Sequence, residues 1–196
     1  NIGRLLDRVE ALGLTADTLI FFTSDNGFNC GHHGLWGKGN GTFPLNMYDN
    51  SVKVPAIASH PGYIPESVVS DALLSGYDFM PTLLDYLGLE NPEHTSLPGR
   101  SFAPILQGRA VQGNDHVVVY DEYGPVRMIR THEWKYVHRY PYGPHELYHL
   151  SEDPAERVNL VEQSDLQDVV VPMRAGLQDW FIQYVDPWRD GRHEPV

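Results

Sequence analysis

Thr18–Lys38 reads TLIFFTSDNGFNCGHHGLWGK. Its apolar, β-prone opening, Thr18–Thr23, has no polar alternation, which predicts a strand buried on both faces. That run stops abruptly at Asp25-Asn26-Gly27. A glycine-rich loop follows and delivers one cation, Lys38, in a setting that looks buried, between Gly37 and Gly39. In open α/β sheets, ligands sit off the carboxyl ends of strands, and Asp25 and Asn26 lie at such an end. A carboxylate and an amide oxygen suit a hard cation such as Ca²⁺ or Mg²⁺. Two adjacent residues can reach one ion only where the chain turns sharply, and Gly27 permits that turn. The same three residues also form a common turn after any strand. A lysine beside a metal can hold an oxyanion and stabilise a leaving oxygen; without that context it is a surface lysine in a loop.

Upstream, Ile2, Leu5, Leu6, Val9 and Leu12 recur at helical spacing, and Gly13 is placed to end the helix. Helix followed by buried strand is half of a βαβ unit. Downstream, residues 27–53 carry glycine at 27, 31, 34, 37, 39 and 41 without periodicity. Long ordered loops of this kind tend to be functional. Val54–Ser59 is read as a second short buried strand. Tyr77, Met80, Leu83, Leu84 and Leu87 predict a helix over 75–87, with Gly88 as its C-cap. The proline- and glycine-bearing stretch 90–99 is read as a link.

The character then changes. His116–Tyr120, Val126–Thr131, Trp134–Arg139 and Glu146–Leu150 are short β-rich runs separated by turn residues. Four such runs without intervening helices imply an antiparallel sheet. Leu166, Val169, Val170, Met173, Leu177, Trp180, Phe181 and Tyr184 form a helical stripe expected to pack on it. The tail from Asp186 is polar and reads as loose.

The chain has 196 residues and a net charge of −12. That balance argues against a nucleic-acid partner, which needs clustered Lys and Arg. No apolar run approaches the ~20 residues of a membrane span. The opening residues do not read as a signal peptide, and the absence of a starting methionine suggests a segment of a longer chain. A single cysteine, Cys30, excludes an intrachain disulfide. It has no recognisable base or helix N-terminus to activate it and reads as a small packing residue. His32 and His33 share the glycine-rich loop, where a histidine could protonate a leaving group or orient a substrate; either is equally a packing residue. His116, His132, His138, His145 and His149 match no zinc spacing and read as sheet-surface or edge residues. Trp134, Tyr136, Tyr140, Tyr142 and Tyr148 fit the core of a small sheet, or a face on which sugars stack.

Phe22-Thr23-Ser24-Asp25-Asn26-Gly27, then Gly34-Leu35-Trp36-Gly37-Lys38-Gly39 and Val54-Pro55, resemble the type I sulfatase family of the alkaline phosphatase superfamily. Similar segments continue in order: Ile2–Leu6, Leu12–Leu14, Tyr77–Leu84, Leu97–Ser101, Arg127–Tyr136 and Glu146–Leu160. The resemblance implies the C-terminal portion of a sulfuric ester hydrolase. Its fold would be the end of an α/β sheet with helices (1–110), plus a small α+β subdomain of four antiparallel strands and a long helix (111–196). Asp25 and Asn26 match the family's second pair of metal ligands, usually for Ca²⁺. Lys38 matches the lysine that contacts sulfate and leaving oxygen, and His33 is a candidate beside it.

The resemblance also implies a formylglycine nucleophile made from Cys or Ser. Its motif is absent here, since Cys30 is followed by Gly31-His32-His33. The segment carrying it, and the first acidic metal pair, are expected in an N-terminal part of the same protein, so the isolated chain is expected to be inactive. His32 and Asp49 depart from the glutamates frequent at these places, which bears on substrate preference. The expected substrate is a sulfate ester of a carbohydrate or aryl alcohol. Two alternatives stay open: a phosphatase, phosphodiesterase or phosphonate hydrolase of the same superfamily, and a non-catalytic fragment or binding module. An apolar edge left where further sheet belongs could drive homo-oligomerisation.

Overall fold

A computed structural model describes residues 1–92, 96–109, 111–121 and 123–192. The first apolar stripe forms α1 (Ile2–Ala11), followed by Gly13 at φ 69°. Glycine reaches that left-handed conformation without a Cβ clash, so the helix stops there. After α1 come β1 (Ile20–Thr23), β2 (Asn29–Cys30), β3 (Trp36–Gly37), α2 (Asp49–Val52) and β4 (Ala56–Ser59). The stretch read as loop, 27–53, thus holds a two-stranded ribbon and a helical turn. Next are α3 (Phe79–Tyr86), with Gly88 at φ 67° beyond it, and α4 (Ala103–Leu106). Residues 93–95 of the expected link lie outside the described residues.

β1 pairs antiparallel with β4, from Ile20↔Ser59 to Thr23↔Ala56. The helix and strand therefore find no parallel partner strand among the described residues. Nor is either strand buried on both faces: Phe22, Thr23 and most of β4 are exposed. An apolar run records the surroundings a strand suits, and this pair has a cover on one side only. Phe21 packs on Phe79 and Phe102 at centroid distances of 4.9 and 6.4 Å. The rest of the apolar surface is open. No residue of α1 is buried; Leu5 is 68% exposed and Ile57 59%.

The C-terminal residues close their own core. β5 (Val117–Tyr120), β6 (Val126–Arg130), β7 (Trp134–Arg139) and β8 (Glu146–His149) form an antiparallel sheet in sequential order. α5 (Gln167–Tyr184) lies on one face. There Val118, Ile129, Tyr136 and Leu147 pack against Val170, Met173, Leu177 and Phe181. Strand side chains alternate between faces, so Val126, Met128 and Val137 point the other way. They meet Leu45 and Met47 of the segment that follows the glycine-rich loop. Lys135 and Arg139, on that same face, reach the backbone carbonyls of Met47 (3.1 Å) and Leu45 (2.6 Å). The loop is thereby fastened to the C-terminal sheet.

Two expectations about this region change. His138 is not a surface residue: it is 4% exposed, stacked on His145 at 4.1 Å and joined to the Tyr136 hydroxyl at 2.9 Å. An even-numbered position on β7 faces α5, and that face is covered. The residues after Asp186 are not loose as far as Arg192. Asp190 is buried and pairs with Arg127 at 3.0 Å, and the Arg127 guanidinium lies 3.6 Å over the Phe181 ring. Residues 193–196 lie outside the described residues.

Candidate functional site

β1 ends at Thr23, and Asp25 and Asn26 follow directly, at its carboxyl end. Asp25 Oδ1 accepts the Asn26 backbone N–H at 2.8 Å and a weaker bond from the Ser24 hydroxyl at 3.3 Å. Hydrogen bonds from the Asn26 backbone and then its side chain hold the Asp25 carboxyl below its ordinary pKa. It is an exposed carboxylate, ionised at neutral pH, beside a half-buried amide. The turn is not made by a left-handed glycine. Gly27 donates to Ser51 O at 2.8 Å, and a Cβ there would lie 2.1 Å from the Asn50 carbonyl oxygen. The backbone of 50–51 approaches too closely for any side chain.

The Lys38 arm returns to the same place. β2 and β3 pair Asn29↔Gly37 and Cys30↔Trp36. Continuing this register sets Lys38 opposite Phe28 and Gly39 opposite Gly27. Gly39 is pressed against the same segment: a Cβ there would meet Asn46 O at 2.6 Å and Ser51 Cβ at 3.3 Å. Gly27 and Gly39 thus both abut Ser51, so the two arms converge on one short stretch. Lys38 is exposed, contrary to its sequence surroundings. Glycine neighbours leave a lysine uncovered as readily as they let a ligand approach it. Among the described residues Lys38 enters no ion pair.

His33 sits at φ 53°, in the left-handed region, with its ring 3.6 Å from that of Tyr48 and 1° from parallel. Loss of solvent on the stacked face, and the neighbouring His32, lower its pKa. The imidazole is therefore neutral near pH 7. Cys30 is an exposed free thiol. Asp49, noted for its departure from glutamate, points away into the C-terminal sheet. There it meets Lys135 (2.5 Å) and Arg130 (3.3 Å). Burial opposes its ionisation, but Lys135 and Arg130 outweigh burial and hold its pKa down.

Four polar residues had drawn no attention in the sequence: Asn29, Thr42, Asn46 and Ser51. All are buried. They read as ordinary loop composition, and only the close approach of residues 27 and 39 to 46–51 gives them a common location.

In donor chemistry Asp25 and Asn26 fit an oxygen-preferring dication. They supply two of the 6–8 oxygens such an ion takes. Among the described residues, no three His, Cys, Asp or Glu side chains lie together as a metal-holding group.

Residues 31–183 match the family model described as N-sulphoglucosamine sulphohydrolase, C-terminal. The chain belongs to the sulfatase family. It is 30% identical to the N-acetylglucosamine-6-O-sulfatase of Bacteroides thetaiotaomicron over 95% of its own length, and spans about a third of that protein (34%). A solved sulfatase-like structure in complex with its substrate, D-glucosamine-2-N,6-O-disulfate, superposes with a TM-score of 0.83 at 29% identity, covering 99% of this chain and 40% of that one. The phosphonate monoester hydrolase of Agrobacterium radiobacter is similar at a TM-score of 0.78 and 28% identity, over 94% of this chain and 39% of that chain. The architecture is thus that of the C-terminal part of a sulfatase or alkaline-phosphatase-like hydrolase.

Proposed function

We propose that these residues form the C-terminal portion of a sulfuric ester hydrolase and carry half of its metal and sulfate site. Convergence of the Asp25-Asn26 turn and the Lys38 arm on Ser51 carries this reading. Asp25 and Asn26 would hold a divalent cation, Ca²⁺ by donor type. When bound, such an ion supplies positive charge to the oxygens of the transferring sulfuryl group. The Lys38 ammonium, exposed and without an acid partner here, binds a sulfate oxygen and neutralises charge on the leaving oxygen as the S–O ester bond breaks. A neutral His33, held against Tyr48, orients the substrate through its ring N–H rather than acting as a protonated acid. The nucleophile, a formylglycine, is assigned to residues outside this chain, since Cys30 lacks the surrounding motif.

The division at residue 110 belongs to the same proposal. The 1–110 part would complete its sheet with the remainder of the protein, laid over the exposed apolar side of α1, β1 and β4. The substrate class is a sulfated sugar or aryl ester, by likeness to the relative that acts on glucosamine sulfate. A phosphonate or phosphoryl ester is the second reading, favoured by likeness to the phosphonate monoester hydrolase.

The test is turnover of aryl and sugar sulfates, and of a phosphonate monoester, by the full-length protein and its Asp25→Ala variant. Loss of a charged ligand to the site is expected to lower kcat/KM for sulfate esters by roughly 10²–10³-fold, the scale of removing one electrostatic stabiliser. Unchanged turnover would remove Asp25 from the site. Faster turnover of the phosphonate than of any sulfate would favour the second reading.

A further inference from the structure

We infer that Asn29, Ser51, Asn46 and Thr42 form a buried positioning relay that sets Lys38; this rests on the proposed role of Lys38. Asn29 Nδ2 donates to Ser51 Oγ at 2.6 Å and, more weakly, to Gly37 O at 3.4 Å. Ser51 Oγ donates to Asn46 Oδ1 at 2.6 Å, and Asn46 Nδ2 donates to Thr42 Oγ1 at 2.7 Å. The single proton of the Thr42 hydroxyl is shared between Pro44 O (2.9 Å) and Gly39 O (3.1 Å). Backbone carbonyls only accept, so donation runs outward from the two protons of the Asn29 amide, one way to Gly37 O and the other through Ser51, Asn46 and Thr42.

The ends of this relay are the carbonyls on either side of Lys38, those of Gly37 and Gly39. Lys38's own carbonyl accepts Gly41 N at 2.9 Å, and Asn46 N reinforces Gly39 O at 3.1 Å. Three successive peptide units are therefore pinned, while the lysine side chain stays exposed. The same residues hold the other arm, because Ser51 O takes the Gly27 N–H at 2.8 Å. A single buried network thus sets the spacing between the proposed metal turn and the proposed sulfate-binding ammonium.

One detail separates positioning from packing. Asn29 is fully buried, yet among the described residues its Oδ1 has no hydrogen-bond partner. A buried acceptor left unmade is unfavourable, so the oxygen of this amide does not account for its presence. The amide is explained by what its Nδ2 holds.

The test uses the full-length enzyme with phenyl sulfate and 4-nitrophenyl sulfate. Thr42→Val keeps the volume and removes the hydroxyl. It is expected to lower kcat about ten- to a hundred-fold with little change in KM. Phenyl sulfate, the poorer leaving group, should lose more, because more charge develops on its oxygen. Thr42→Ser should restore most of the rate. In a Lys38→Ala background, Thr42→Val should add nothing. Asn29→Leu should lower kcat in the same pattern when assayed well below its Tm, whereas a packing role would move Tm and leave the kcat of the folded enzyme unchanged. Additive losses in the double variant, or wild-type kinetics for both Thr42→Val and Asn29→Leu, overturn the relay alone. Wild-type kinetics for Lys38→Ala overturn the role of Lys38 and the relay with it.

Discussion

The two ends of this chain use apolar residues in opposite ways. β5–β8 and α5 bury Leu147 and Tyr136 almost completely, at 0–1% exposure. α1 and the β1–β4 pair leave Ile2, Leu5, Leu6, Phe22 and Ile57 facing outward. Hairpin neighbours plus one long helix supply a closed two-layer core from local sequence. A helix and two strands cannot do so, because a pair of strands offers one face to cover and no third layer to cover it. Between the ends, residues 45–52 are tied to the C-terminal sheet on one side and support both arms of the candidate site on the other. The C-terminal sheet therefore holds the two arms of the candidate site in place.

The most damaging way to break that arrangement is Lys135→Met. Lys135 is fully buried and bonds Asp49 and Glu156, each at 2.5 Å. Burial pushes the Glu156 pKa up against the pull of Lys135, so, while Asp49 also has Arg130 at 3.3 Å, the Glu156 carboxylate is left to that one ammonium. Its removal is expected to destabilise by about 3–5 kcal/mol, read as a fall in denaturant midpoint. A stability within about 1 kcal/mol of wild type would mean that residues 45–52 are not anchored by this charge cluster.

Two leucines sharpen the contrast. Leu147→Ala should cost about 2–5 kcal/mol in any version of the protein. Leu5→Ala should cost no more than about 0.5 kcal/mol in this 196-residue chain, and about 2–4 kcal/mol in the full-length protein if α1 is covered there. Equal and small effects of Leu5→Ala in both would refute the proposed cover.

The last expected effect is a pH dependence seated in the C-terminal region. Burial first, then the charges of His145, Arg174 and Arg127, lower the His138 pKa to about 4. In the folded state the ring stays neutral while the unfolded chain takes up a proton near pH 6.5. Its contribution is thus complete above pH 6.5 and is lost as pH falls from there towards 4, up to about 3 kcal/mol. Urea unfolding at pH 7 and pH 5 should show this loss, and His138→Gln should flatten it. An unchanged slope in the variant would assign the pH dependence elsewhere.

Much of this protein is determined by its residues taken in order. Period-3.6 stripes mark α1, α3 and α5, and glycines 13 and 88 end the first two. Short β-rich runs between turn residues give β5–β8. An abrupt end to an apolar strand, followed by Asp25-Asn26 and then Lys38, marks the candidate site without any contact being known. These features depend on neighbours within a few positions, so local patterning suffices to specify them.

What the tertiary structure decided is where distant backbones touch. It made Gly27 and Gly39 obligatory through Asn50 O and Asn46 O, left Lys38 exposed, buried His138 under α5 and drew Asp190 back onto Arg127. It also joined Asn29, Ser51, Asn46 and Thr42, four unremarkable loop residues, into one hydrogen-bonded chain around Lys38. Steric exclusion and hydrogen bonding act over a few ångströms. Their partners lie up to 107 positions apart along the chain, as Asp49 and Glu156 do, and no periodicity in the sequence encodes such a meeting.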